Sequence, residues 1–186
     1  MDDKTIVEMY WRRDEGAIAV TAEKYGAYCL SISGNILKNR EDAEECVNDA
    51  YLKTWNSIPT NRPEQLSAYI GRIVRNLSFN LYSKNRAEKR GSGQLEAVLD
   101  ELSELTVDPS TPEDLLDSRL ISETVSFFLS MLPPEKRRLF VRRYWYCDSI
   151  KDIAERCGMS ENNVSVSLAR LRAKLRVCLT ERGVEL

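Results

Sequence analysis

The sequence predicts an all-α protein of two small helical domains joined by an acidic, flexible linker, the C-terminal domain containing a helix-turn-helix. Three observations lead there. Apolar residues recur at helical spacing through most of the 186 residues. Charge falls in blocks along the chain, and the stretch Asp148 to Arg176, DSIKDIAERCGMSENNVSVSLARLRAKLR, has the spacing of two short helices crossing at a tight turn.

The charge blocks are hidden by a formal net charge of -2. Residues 1–66 hold 8 basic and 12 acidic side chains, 67–95 hold 6 and 1, 96–134 hold 1 and 9, and 135–186 hold 12 and 7. Two basic blocks separated by an acidic one point to two nucleic-acid contacts joined by a tether that does not itself bind DNA. The implied domains are 1–93, a linker at 94–118, and 119–186.

Composition narrows the chemistry. At 42% hydrophobic residues the chain can bury real cores. No apolar run approaches the ~20 residues of a membrane helix, and the start, MDDKTIVE, lacks the pattern of a secretory signal, so a cytoplasmic protein with no membrane insertion is expected. The five cysteines, Cys29, Cys46, Cys147, Cys157 and Cys178, form no C-x-x-C pair, and no histidine exists to complete a zinc site. They read as small core residues. Without histidine, a Gly-rich phosphate loop or a carboxylate dyad, no catalytic residue, metal or cofactor is expected, and the protein is not read as an enzyme.

In chain order, Ile6, Met9 and Tyr10 start a short amphipathic helix, and Ile18, Ala22, Tyr25, Cys29, Ile32 and Ile36 continue helical spacing through Leu37. After a break at Lys38-Asn39-Arg40, REDAEECVNDAYLKTWNSI turns Ala43, Val47, Ala50, Thr54 and Ile58 inward. Its other side carries Glu41, Glu44, Glu45, Asn48, Asp49 and Lys53, either a solvated face or an interaction surface. Pro59 and Pro63 bracket a loop containing Thr60, Asn61 and Arg62. A long helix follows, with an expected buried stripe at Leu66, Ile70, Ile73, Leu77 and Leu81. Its remaining sides hold Arg72, Arg75, Asn76, Phe79, Asn80, Ser83 and Arg86, suited to phosphates and base edges. Tyr69, Phe79 and Tyr82 are either stacking surfaces for unpaired bases or core residues.

Residues 94–118 read as the linker. Leu95, Val98, Leu99 and Leu102 support at most a transient helix, and TVDPSTPEDLLD is turn-rich, so no fixed fold is expected there on its own. From Arg119 the chain is helical through Ile121, Val125, Phe128 and Leu132, until Pro133-Pro134 starts PEKRRLFVRRYWYCD, which buries Leu139, Phe140 and Tyr144, with Trp145 a further candidate. Lys136, Arg137, Arg138, Arg142 and Arg143 remain for phosphates or for water. In the closing stretch Ile150, Ile153, Ala154 and Cys157 make one buried stripe, and Ser149 with Asp152 has capping-box spacing. Gly158 can end that helix at positive φ, Met159 can plug the corner, and Ser160 can cap the next helix. That last helix turns Val164, Leu168, Leu171 and Leu175 inward. It shows Glu161, Asn162, Ser165, Val166 and Ser167 near its start, then Arg170, Arg172 and Lys174. Such a layout suits a DNA-reading helix, or an ordinary hairpin with a basic face.

Taken in order, four stretches resemble the small two-domain sigma factors of bacterial RNA polymerase, the extracytoplasmic-function type of the sigma-70 family. They are DAEECVNDAYLKTW, SAYIGRIVRNLSFNLYSKNR, SMLPPEKRRLFVRRYWYCDSIKDIAERCGMS and NNVSVSLARLRAKLR. The resemblance implies a transcription initiation factor whose partners are core RNA polymerase, through the β′ clamp helices and the β flap, and promoter DNA. An anti-sigma factor is a further candidate partner. The implied polymerase-binding residues are Asp42, Glu45, Asn48 and Asp49. Minus-ten recognition and melting fall to Asn61, Arg62, Tyr69, Arg72, Arg75, Asn76, Asn80 and Lys84, the loop around Asn61 taking up a base flipped from the non-template strand. Minus-thirty-five recognition falls to Arg142, Arg143, Asn162, Asn163, Ser165, Val166, Ser167, Arg170 and Arg172, and the linker corresponds to the connector that threads near the nascent RNA path.

Three departures qualify the resemblance. Ser165 and Ser167 stand where basic residues are common, which implies a shallower salt dependence of minus-thirty-five binding. Tyr69 stands where Trp is frequent, and no appended sensing domain is expected after the helix-turn-helix, so regulation is expected to come from a partner or from expression. Two rivals stay open from the residues alone: a dimeric helix-turn-helix operator-binding regulator, and a helical anti-sigma or adaptor protein.

Overall fold

A computed structural model describes residues 1–88, 94–103 and 114–184. Its elements are α1 (Asp3–Trp11), α2 (Gly16–Leu37), α3 (Arg40–Ser57), α4 (Leu66–Glu88), α5 (Gln94–Ser103), α6 (Asp114–Met131), α7 (Pro134–Tyr144), α8 (Ile150–Cys157) and α9 (Glu161–Glu181). The architecture is all-α, and the chain divides into two compact units, Met1–Gly91 and Ser92–Leu186. Among the described residues no helix is long and apolar enough to cross a membrane.

In the first unit α2, α3 and α4 pack on one another and α1 lies against α2. Asp2 caps α1 by accepting from the Thr5 N–H at 2.8 Å. Ile6, Val7 and Tyr10 bury against Ala17, Ile58 and Leu66. The buried Tyr10 hydroxyl is satisfied by Thr21 Oγ1 at 2.9 Å, whose own proton goes to the Ala17 carbonyl at 2.7 Å. Asp3 accepts from Lys24 Nζ at 2.7 Å, from the Tyr25 hydroxyl and from the Leu66 N–H at 3.2 Å, so one carboxylate ties α1 to α2 and to the start of α4. Lys38 ends α2 in the left-handed region at φ 55, and Asn39 caps α3 by accepting from the Glu41 N–H at 3.0 Å. Ala43, Val47, Ala50, Thr54 and Ile58 are all buried, as their spacing predicts.

The inner line of α4 differs from expectation. Leu66, Ile70, Val74 and Ser78 are fully buried, while Ile73, Leu77 and Leu81 lie on the flanks, half-buried. Small residues make the inner line possible. A β-carbon on Gly71 would stand 2.2 Å from the Tyr28 hydroxyl, and Ser78 Oγ lies 3.0 Å from Ser33 Oγ and 2.8 Å from the Val74 carbonyl. The expected and observed lines share Leu66 and Ile70 and part beyond them, where the inner line runs through Val74 and Ser78.

In the second unit, α9 packs against α6, α7 and α8 and buries Val164, Leu168, Leu171, Leu175 and Leu179. Each such residue contributes about 1.5–3 kcal/mol by leaving water. Phe128 of α6 meets Phe140 of α7 edge-on at 6.0 Å, and Phe140 leans on Tyr144 at 4.5 Å. Pro134 occupies the first turn of α7, and Arg137 Nη2 reaches back to the Ser130 and Leu132 carbonyls at 3.0 and 3.1 Å, closing the end of α6. Within the stretch read as a linker, Gln94–Ser103 forms α5, which belongs to this unit and buries Val98 completely. Of the turn-rich TVDPSTPEDLLD, residues 106–113 lie outside the described residues, and its last four, 114–117, are the first turn of α6, so the helix expected from Arg119 begins at Asp114. Cys29, Cys46 and Cys147 are buried, Cys157 and Cys178 partly so, all as free thiols. Burial pushes the Cys29 thiol up to about 12, which suits an inert core residue.

Candidate nucleic-acid interface

The helix-turn-helix is built by local rules the sequence states openly. Ser149 Oγ accepts from the Asp152 N–H at 2.9 Å and lies 2.6 Å from Asp152 Oδ2, so serine and aspartate cap α8 together. Gly158 stands at φ 63, a conformation that favours glycine, and the Met159 N–H returns to the Ala154 carbonyl at 3.0 Å. Ser160 then caps α9, accepting from the Asn163 N–H at 3.2 Å. The α9 face turned away from the core exposes Asn162, Asn163, Ser165, Val166 and Arg170. Amides can pair with adenine edges, Val166 can meet a thymine methyl, and Arg170 can take guanine or phosphate. Ser165 Oγ donates to the Glu161 carbonyl at 3.0 Å. Ser167 is half-buried and accepts from Lys136 Nζ at 3.2 Å, so it faces α7 rather than an open groove.

Three arginines expected on this surface are engaged elsewhere. Arg143 is only 3% exposed. Its Nη2 and Nε donate to the two oxygens of Glu101 at 2.7 and 3.4 Å, and its Nη1 donates to the Asp148 carbonyl at 3.1 Å. Arg172 Nη1 donates to Glu101 Oε2 at 3.0 Å and to the Tyr144 hydroxyl oxygen at 2.8 Å, while that hydroxyl donates to Glu101 Oε2 at 2.8 Å. Arg142 Nη1 pairs with the buried Asp148 at 2.8 Å. The reason is electrostatic: a carboxylate on α5 collects two guanidiniums and a phenol in a low-dielectric junction where such bonds are strong. Burial alone would raise the Glu101 carboxyl, but the hydrogen bonds from Arg143 and Tyr144 and the charges of Arg143 and Arg172 outweigh it and hold it below the usual range. Burial, first of all, pushes the Tyr144 phenol far up, so it stays protonated as a donor.

Unit one presents two polar faces. On α3, Glu45, Asn48 and Asp49 are exposed and Asp42 is half-buried. Leu52, 57% exposed, completes the i, i+3, i+4, i+7 line through Glu45, Asn48 and Asp49. Charge counting missed it, although that spacing was there to read. On α4, Arg72, Asn76, Asn80 and Lys84 are exposed at successive four-residue steps and so share one face. Arg75 is half-buried beneath them, its guanidinium 4.4 Å from the Phe79 ring centroid. Tyr69 turns the other way. It packs against the α1 core and donates its hydroxyl to Ser57 Oγ at 2.8 Å, so of the two readings, stacking surface or core residue, the half-buried ring sits on the core side. In the adjoining loop, Asn61 Nδ2 donates to the Ser57 carbonyl and to Thr60 Oγ1, both at 3.1 Å, leaving its oxygen as what it can offer a base. Arg62 donates to Glu8 of α1, and its guanidinium lies 5.3 Å from the Trp11 ring centroid. Among the described residues no cluster of three or more His, Cys, Asp or Glu could hold a metal ion.

Residues 22–88 match the family description "Sigma-70 region 2", and residues 123–175 match "Sigma-70, region 4", together close to two thirds of the chain. The ECF RNA polymerase sigma factor SigW of Bacillus subtilis (strain 168) is 23% identical over 178 residues, spanning 93% of this chain and 94% of that protein. A solved structure, CnrH in complex with the cytosolic domain of CnrY, aligns over 96% of this chain and 97% of that chain, with 18% identity and a TM-score of 0.42.

Proposed function

This chain belongs to the sigma-70 family, of the extracytoplasmic-function type, and is a transcription initiation factor with no chemistry of its own; on that premise we propose how its surfaces divide the work. In this reading residues 1–93 engage core polymerase and open the minus-ten element, and residues 119–186 place α9 in the major groove of the minus-thirty-five element. The α3 line Asp42, Glu45, Asn48, Asp49 and Leu52 meets the β′ clamp helices, and the C-terminal unit meets the β flap. The α4 face of Arg72, Asn76, Asn80 and Lys84 follows the melted strand, with Asn61 receiving a flipped base whose unstacking costs a few kcal/mol. The protein works in the cytoplasm and is a candidate for capture by an anti-sigma factor.

The observation that best supports this division is the α4 face itself. Two cations and two amides lie in one exposed line over about three turns of a helix within the region 2 match, a surface that a helix-turn-helix operator-binding protein would have no use for. Run-off transcription with purified core polymerase over a pool of promoter fragments tests it. Specific initiation that depends on this protein, and is lost in Arg72→Ala with Asn76→Ala at the opening step, is the expected result. Duplex binding without core polymerase, with no initiation when core is added, would return the operator-binding reading.

A further inference from the structure

We propose that Trp11 of α1 is a stacking platform for one unpaired base of the melted non-template strand, held ready by Arg62. The inference rests on reading the loop at 58–65 as part of the minus-ten site. Residues 3–11 fall outside the region 2 match, so nothing in the family comparison assigns α1 a contact with DNA.

Four observations converge on this residue. An indole buries a large apolar area when it can, yet Trp11 is 45% exposed and lies outside the core that its neighbours Met9 and Tyr10 help to form. Its ring is covered by the guanidinium of Arg62, the residue after Asn61, at 5.3 Å from the centroid. Arg62 is itself 61% exposed, and its other partner, Glu8, also pairs with Arg12 at 2.9 Å. The surroundings therefore offer phosphates two exposed cations, Arg12 and Arg62, beside one aromatic face.

The energetics favour exchange. An exposed cation–π contact shifts an equilibrium by about two- to fivefold, and an exposed ion pair by about as little or less. Stacking of a base on an aromatic side chain is worth about five- to 150-fold. An arriving single strand can thus draw Arg62 from the ring to a phosphate and leave the indole to a base, while Arg12 still neutralises Glu8. In the free protein Arg62 lies over one face of the ring and leaves the indole 45% exposed, so the platform is accessible without a permanent partner.

The test uses holoenzyme assembled from core polymerase and the full chain, on a promoter recovered by run-off transcription, with 2-aminopurine placed singly along the non-template minus-ten strand. The proposal expects fluorescence at one position to be quenched in the wild-type open complex, restored in Trp11→Ala and quenched again in Trp11→Phe. Open-complex lifetime should fall on the order of tenfold in Trp11→Ala, with closed-complex affinity and the thermal midpoint of the free protein unchanged. If Trp11→Ala leaves quenching and lifetime intact while Arg72→Ala with Asn76→Ala still impairs opening, the minus-ten reading stands and the platform is overturned. If neither variant affects opening, the assignment of the whole face falls with it.

Discussion

Along α4, Arg72 and Lys84 stand exposed on a single helical face, whereas at the junction of α5, α7 and α9 the side chains of Arg142, Arg143 and Arg172 are drawn inward by Asp148 and Glu101. In sequence the two basic blocks carry the same net balance, yet in the first Arg72 and Lys84 face solvent, while the second uses part of its charge to hold helices together. A cation counted along the chain is therefore available to DNA only if no carboxylate reaches it first. That rule leaves the amides, Val166 and Arg170 as exposed groups on α9, and it makes Glu101 a structural residue of the second unit although it lies in the stretch read as linker.

The largest expected effect follows from removing that carboxylate. Glu101→Ala strands Arg143 and Arg172 in a buried site without their counter-charge, which should cost about 3 kcal/mol of stability in the second unit. Hydrogen exchange resolves the units: α7 and α9 should exchange faster while α2, α3 and α4 stay as protected as in the wild type. Unchanged protection in α7 would mean that solvent already screens the cluster. Acid should act in the same direction. Because the folded carboxyl of Glu101 lies below its unfolded value near 4.5, its contribution is present in full above that value and is lost as pH falls through the lower, folded value. An acid melt should therefore loosen α7 and α9 below about pH 4.5, and Glu101→Gln should remove that step.

What could be read in advance and what could not separate along the same line. Ser149, Asp152, Gly158 and Ser160 were legible because caps and turns act over three or four residues. Glu101 reaches partners 42, 43 and 71 residues away, and no local pattern encodes such a choice. The all-α class followed from periodicity, and so did Leu66 and Ile70 on the inner line of α4; beyond them the line passes to Val74 and Ser78, because Gly71 and Ser78 let the helices approach on that side and carry no large apolar side chain to mark it. Leu52 went unread for the opposite reason: attention to charge on α3 passed over an apolar residue in the same line.

A smaller effect tests α3. Asp49→Lys reverses charge on an exposed helical face and should weaken core polymerase binding at least tenfold, about 1.4 kcal/mol, with helicity unchanged. Leu52→Ala should weaken it severalfold, about 1 kcal/mol. Retained affinity in both variants, measured by competition for core polymerase, would move the polymerase contact off α3. On α9, Asn162→Ala should change preference at a single base pair of the minus-thirty-five element by ~1–3 kcal/mol, whereas an equal loss on all sequences would make Asn162 a phosphate contact.

The smallest effect discriminates most sharply between free and committed cations. A phosphate contact contributes close to one unit to the slope of log affinity against log salt, so a variant lacking it binds with a shallower slope. Arg170 is exposed on the reading face, and Arg170→Ala should lower the slope of minus-thirty-five binding by holoenzyme by about one. Arg172 sits two residues on but is held by Glu101 and Tyr144, so Arg172→Ala should leave the slope where it was and register instead as lost stability. Should both variants lower the slope equally, Glu101 must release Arg172 when DNA arrives, and the α5 carboxylate would compete with phosphate for that arginine. The slope reads phosphate contacts and hydrogen exchange reads the ion cluster, so measuring both on each variant assigns each arginine to DNA or to the fold.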